Sequence, residues 1–125
     1  MAKVLIIDDD RDIRTGLNVR LRSEGFDTAF AEDAVTAISA ARKERPDLIL
    51  LDIGLPAGDG YVVMERLKDI AELATVPVIV VSCRDPRENK RRSLEAGARA
   101  YFQKPVSNDE LLFAIGQHLG SHTQN

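Results

Sequence analysis

Short apolar runs recur along the chain, each separated from the next by a segment with helical periodicity. The runs cover residues 4–7, 26–30, 48–51, 76–81 and 100–102. Leu48-Ile49-Leu50-Leu51 and Val78-Ile79-Val80-Val81 show no polar alternation, as expected of strands buried on both faces in a parallel sheet covered by helices. Pro77 stands near the start of its run, where a missing N–H is tolerated.

The intervening segments carry helix signals. Ile13, Leu17 and Leu21 fall at i, i+4 and i+8 and predict one buried stripe, with Gly25 placed to end the helix. Asp33 is placed to cap a second helix with Ala34, Ala37, Ile38 and Ala41 on one side. A third begins near Asp59-Gly60 and spaces Val63, Leu67 and Ile70 for burial. Asp85-Pro86 reads as an N-cap followed by proline at the first helical position, and Gly97 follows the helix it opens. Ser107-Asn108-Asp109-Glu110 forms a capping box that introduces Leu111, Leu112, Ile115 and Leu119. Alternation of this kind predicts a parallel sheet with right-handed crossovers. The expected architecture is α/β: a single doubly wound domain over residues 1–120, with helices on both faces and 121–125 as a frayed polar tail.

Composition narrows the class. With 125 residues, 44% hydrophobic and 30% charged, the chain fits one globular domain. A single cysteine, Cys83, excludes a disulfide framework and a multi-cysteine zinc site. Seventeen basic residues against 20 acidic ones give a net charge of -3, the wrong sign for a chain-wide binder of nucleic acid or anionic membrane. The first apolar run is short and ends in Asp8-Asp9-Asp10, so no export signal or bilayer span is expected there and the cytoplasm is the default compartment.

In doubly wound sheets, sites form outside the carboxyl ends of the strands. After the first run stand Asp8, Asp9 and Asp10; the third ends in Asp52; Ser82 follows the fourth and Gln103-Lys104-Pro105 the fifth. Two or three carboxylates, a hydroxyl and an ammonium should therefore meet at one rim. At 4 Å, two like charges cost about 4 kcal/mol at an effective dielectric of roughly 20. One lysine cannot balance three carboxylates, whereas a hard divalent cation can, and oxygen ligands suit Mg²⁺. Asp10 reads better as a helix cap than as a ligand.

These residues, with Leu50-Leu51-Asp52-Ile53-Gly54-Leu55-Pro56, Asp59-Gly60, Val80-Val81-Ser82 and Lys104-Pro105 in order, resemble the receiver domains of two-component response regulators, chemotaxis-type receivers among them. The resemblance runs from Lys3 to about Leu119. It implies the flavodoxin-like strand order 2-1-3-4-5, and a Mg²⁺-dependent switch rather than an enzyme. Asp52 would accept a phosphoryl group from a sensor histidine kinase or histidine phosphotransfer protein. Asp9, the Asp52 carboxylate and the Gly54 backbone carbonyl would ligate Mg²⁺, with Asp8 acting more through water or by orienting the site. Lys104 would pair with Asp52 at rest and with phosphoryl oxygens afterwards. Ser82, without a strong partner at rest, would sense the phosphoryl group, and Tyr101 matches the aromatic position coupled to that movement. The resemblance further implies a cis Lys104–Pro105 bond, an output surface on the fourth helix, fifth strand and fifth helix toward a downstream protein or output domain, and dimerisation on activation as an option.

Two positions depart from the commonest pattern: Gly54, two residues after Asp52, and Arg84, two after Ser82. Glycine offers no side chain to hold an attacking water and arginine would shield the phosphoryl group, so slow self-hydrolysis is expected. Cys83 reads as a small packing residue beside Ser82, although a thiol there would narrow access to Asp52. The basic run Arg84, Arg87, Lys90, Arg91 and Arg92 reads either as a solvated helix face or as a docking site for an acidic partner. The scarcity of apolar residues there, with Leu94 the main one, implies a loosely held, movable helix. His118 and His122 carry no assigned role. A flavodoxin-type carrier would not place three aspartates in its phosphate loop, and a haloacid-dehalogenase-type phosphatase would need an aspartate where Gly54 stands. A nucleotide-binding protein would need a glycine-rich phosphate loop. The remaining alternative is a phosphorylation-independent pseudo-receiver acting as a protein-interaction module, which would be expected to have lost Asp9, Asp52 or Lys104.

Overall fold

The two runs without polar alternation lie in the middle of the sheet. In the computed structural model, which describes residues 2–56 and 58–123, they form β3 (Leu48–Leu51) and β4 (Val78–Ser82), buried along their whole length. Around them run β1 (Lys3–Ile7), α1 (Arg11–Ser23), β2 (Asp27–Ala31), α2 (Ala34–Glu44), α3 (Gly60–Lys68), α4 (Pro86–Glu95), β5 (Ala100–Gln103) and α5 (Asn108–Thr123). All strands are parallel, in the order β2-β1-β3-β4-β5. This is the flavodoxin-like order, and strand order reverses between β1 and β3.

Strand alternation splits the core into two layers. Leu5, Ile7, Ile49, Leu51, Val78 and Val80 share one face with Ala37 and Ala41 of α2 and Val63 and Leu67 of α3. Val4, Ile6, Leu48, Leu50, Ile79 and Val81 share the other with Leu21 of α1 and Leu111, Ile115 and Leu119 of α5. Most of these strand side chains are fully buried, and truncating one to alanine should cost about 2–5 kcal/mol. Such a core is stiff enough to hold whatever its strand ends carry.

Four aspartates act as helix caps. Asp10, Asp33, Asp59 and Asp85 each accept backbone N–H groups in the first turn of α1, α2, α3 and α4. Gly25 and Gly97 follow α1 and α4 at φ 90° and 113°, a region that favours glycine. α2 ends just before Pro46, which cannot continue a helix; what the sequence does not announce is that Arg45 takes a left-handed φ of 48° there. Ser107 Oγ accepts the Glu110 N–H at 3.4 Å, one half of the expected capping box.

Some boundaries differ from expectation. β2 and β4 start one and two residues later than the apolar runs, and each reaches one residue further. α3 ends at Lys68, so Ile70 packs against the core from the following turn. The expected tail overlaps α5, which is bounded at Thr123, while residues 124–125 lie outside the described residues. No described helix is long and apolar enough to cross a membrane.

Candidate functional site

The sheet's hydrogen-bond ladder extends one step beyond β1 and β3 and sets two carboxylates side by side. The Asp8 N–H donates to the Ala31 carbonyl at 3.0 Å and the Asp52 N–H to the Ile7 carbonyl at 2.9 Å. Carboxylate oxygens of Asp8, Asp9 and Asp52 come within 4.8 Å of one another. Asp8 and Asp52 are buried, and Asp9 is exposed. Asp10 caps α1 and points its carboxylate at Asp12 and Ile13.

Lys104 reaches this cluster from the end of β5. Its N–H donates to the Ser82 carbonyl at 2.8 Å, and the Lys104–Pro105 bond is cis. Nζ lies 2.7 Å from Asp8 Oδ2 and 3.2 Å from Asp52 Oδ2. The expected resting pair with Asp52 is therefore a bridge whose shorter arm goes to Asp8. Asp8 also accepts the Asp10 N–H at 2.9 Å, and its own carbonyl accepts Arg14 Nη1 at 2.7 Å. Burial pushes the Asp8 carboxyl above the usual carboxylate range, against the pull of Lys104 and the Asp10 N–H. Burial also works against charge on Lys104, but hydrogen bonding to Asp8 and the charge of Asp52 outweigh it, and its ammonium is held above the ordinary lysine value. Three carboxylates face one ammonium here, so the oxygen-only donor set carries an excess of negative charge that fits a hard divalent cation.

A second group of expected residues is linked through the backbone of Arg84. Ser82, almost fully buried, accepts the Arg84 N–H on Oγ at 3.2 Å, so it does have a partner, this amide. The buried Tyr101 hydroxyl donates to the Arg84 carbonyl at 2.7 Å. Burial raises the Tyr101 phenol above its ordinary value, which keeps it a neutral donor. The Gly54 N–H donates to Asp52 Oδ1 at 2.9 Å. A Cβ placed on Gly54 would lie 3.5 Å from that oxygen and 3.7 Å from Arg84 Nε, so the arginine covers the space the glycine leaves.

Cys83 corrects the sequence reading. It is exposed, not a packing residue, because the strand ends at Ser82 and the next side chain turns outward. It lines a groove of about 400 Å³ with Ile13, Leu17, Val81, Lys104 and Val106.

The expectation for α4 also changes. Leu94 is 41% exposed, and the buried residues of α4 are Asn89 and Ser93. They meet the buried Tyr61, whose hydroxyl lies 2.8 Å from Asn89 Oδ1 and 3.3 Å from Ser93 Oγ. Arg92 stacks over the Tyr61 ring at 3.7 Å. Within the basic run, Arg87 pairs with Asp85, Arg91 with Glu95, and Arg92 with an aromatic face. Sequence reading missed Tyr61; its position beside Asp59-Gly60 was the available signal.

Comparison with known proteins agrees with this geometry. The chain is 37% identical over 123 residues to the KDP operon transcriptional regulatory protein KdpE of Escherichia coli, covering 98% of this chain and 53% of that protein. It is 35% identical over 114 residues to the response regulator PleD of Caulobacter vibrioides, covering 90% of this chain and 25% of that protein. The chain therefore spans about half the length of the first relative and a quarter of the second. Among solved structures, the receiver domain of sensor histidine kinase PA1611 from Pseudomonas aeruginosa, with a magnesium ion coordinated in its active site cleft, superposes with a TM-score of 0.86 at 28% identity, covering 95% of this chain and 98% of that one. Residues 4–116 match the family described as response regulator receiver domain, and the chain belongs to that family.

Proposed function

We propose that this receiver is a Mg²⁺-dependent phosphoacceptor switch with Asp52 as the acceptor. The observation that carries the reading is the placement of the Asp52 carboxylate: at the end of a central strand, held by Lys104 and the Gly54 N–H, beside Asp8 and Asp9. Asp9, Asp52 and the Gly54 carbonyl would hold the ion, with Asp8 orienting the site. Bound there, Mg²⁺ would offset the excess negative charge and stabilise the charge on a transferring phosphoryl group.

In the transfer, an Asp52 carboxylate oxygen attacks phosphorus, the P–N bond of the donor phosphohistidine breaks, and the imidazole nitrogen leaves with the bonding pair. Lys104 exchanges its contact with Asp52 for a phosphoryl oxygen while its stem stays anchored after β5. Ser82 accepts the Arg84 N–H, which leaves its own proton free to donate to a phosphoryl oxygen. That charge-assisted bond is stronger than the resting one and draws the loop toward Asp52. The Arg84 backbone bonds Ser82 on one side and Tyr101 on the other, so displacement of Ser82 reaches Tyr101 through one residue. The α4, β5 and α5 surface then changes population between two arrangements.

The upstream partner is a sensor histidine kinase or phosphotransfer protein, and the downstream partner a protein or output domain, all in the cytoplasm. The domain signals, assisting its own phosphorylation and dephosphorylation, with no other turnover. A small phosphodonor with Mg²⁺ should add one phosphoryl mass to the wild type and none to Asp52→Ala. Equal labelling of both would move the acceptor elsewhere, and labelling of neither would favour the pseudo-receiver.

A further inference from the structure

We infer that the Tyr61 hydroxyl is a latch holding α4 in its resting arrangement, making Tyr61 a positioning residue for the Ser82–Arg84 loop; the link to phosphorylation rests on the function proposed above. Most surface helices adhere through an apolar stripe. In α4 the buried positions are Asn89 and Ser93, one turn apart. Buried polar side chains contribute adhesion only while they are bonded, and they carry a desolvation cost when a partner is removed. Their shared partner is one phenol: Tyr61 donates to Asn89 Oδ1 at 2.8 Å and lies 3.3 Å from both Ser93 Oγ and the Asn89 carbonyl. Arg92, from the same helix face, covers the ring.

The connections on either side of the latch make it more than a packing contact. Tyr61 follows Gly60, whose N–H donates to the Ile53 carbonyl at 2.9 Å. A Cβ on Gly60 would lie 2.6 Å from Ile53 Cα, so the start of α3 is pressed directly onto the segment after Asp52. On the other side, Asn89 Nδ2 donates to the carbonyl of Asp85 at 3.0 Å, tying the latch to the cap that follows Arg84. Tyr61 therefore joins the loop after β3 to the loop after β4 by a route separate from Ser82 and Tyr101. The latched arrangement of α4 is the one in which Lys104 bonds Asp52, the contact that the proposed transfer gives up.

The test uses the 125-residue chain and two variants, Tyr61→Phe and, from the other side of the latch, Ser93→Ala. Hydrogen exchange is followed without any phosphodonor, and Asp52 labelling by a small phosphodonor is timed separately. Tyr61→Phe should speed exchange of the α4 amides roughly ten- to a hundredfold while α1 and α2 amides keep their rates. Labelling should become several-fold faster, since α4 leaves its resting position at lower cost. Ser93→Ala should move both readouts the same way, more weakly. Unchanged α4 exchange, or a uniform rise across all helices, overturns the latch. A selective rise with unchanged labelling overturns its coupling to Asp52. If the wild type itself takes no label, the proposed acceptor role fails while the exchange result still decides the latch.

Discussion

Replacing Lys104 by methionine keeps much of the stem and deletes an ammonium that touches Asp8 at 2.7 Å and Asp52 at 3.2 Å. The three side chains are 10%, 5% and 11% exposed, so bulk water screens their charges only weakly. Asp8 and Asp52 then face each other with oxygens within 4.8 Å, a repulsion of about 3.5 kcal/mol at an effective dielectric near 20. Removing one partner from a buried ion pair typically costs about 3–5 kcal/mol, and the repulsion is part of that figure. We expect a loss of about 3 kcal/mol, a large share of the roughly 5–15 kcal/mol that holds a domain together. The assay is urea unfolding at neutral pH with divalent cations chelated, read from the midpoint at constant slope.

Acid and alkali should separate wild type from variant. Asp8 is raised in the folded chain, so its ionisation disfavours folding above the ordinary aspartate value. Acidification relieves that cost, and the Lys104→Met deficit should shrink as Asp8 takes up its proton. Lys104 is also raised. Its contribution is complete below the ordinary lysine value and is lost as pH rises through the folded one, a decline the variant should lack. A deficit under about 1 kcal/mol at neutral pH, or one that grows toward acid, would refute the reasoning.

Three further outcomes are expected. Gly60→Ala brings a methyl within 3.0 Å of Ile53 Cα, Ile53 Cγ2 and the Asp52 carbonyl, and should lower stability by about 1–3 kcal/mol in a thermal melt while slowing Asp52 labelling. Arg84→Ala and Gly54→Asn should each speed phosphate loss from the labelled protein, the first by uncovering Asp52 and the second by supplying an amide to hold water; unchanged rates in both would remove the shielding argument. Asp33 is held below the ordinary carboxylate range, first by the Thr36 N–H and then by the Thr36 hydroxyl. Its cap contribution should be complete above the ordinary aspartate value and fade as pH falls through the folded one. Asp33→Asn keeps a cap without that dependence, and the acid titration of the Thr36 amide resonance should flatten.

What the sequence disclosed, and what it hid, follows from how local each cause is. Uninterrupted apolar runs such as residues 78–81 can be satisfied only between two covered faces, so the sheet was legible. The gathering of Asp8, Asp52 and Lys104 followed too, because each stands directly after a strand of one parallel sheet. Register does not say which oxygen an ammonium prefers, and the shorter Lys104 contact to Asp8 was hidden for that reason. Asn89 and Ser93 look like solvent-facing residues until their partner, 28 and 32 positions earlier, is known. Pro46 marks where α2 must stop, but nothing local to Arg45 favours its left-handed backbone, which comes from the turn between α2 and β3.

The outward turn of Cys83 has a practical consequence. The chain carries one sulfhydryl, and it is solvent-accessible, adjoining Ser82 and sharing a groove wall with Lys104. A maleimide dye would therefore attach to this chain at one address, beside the Ser82–Arg84 loop, without any engineered substitution. Its emission would report loop rearrangement in real time in the native sequence.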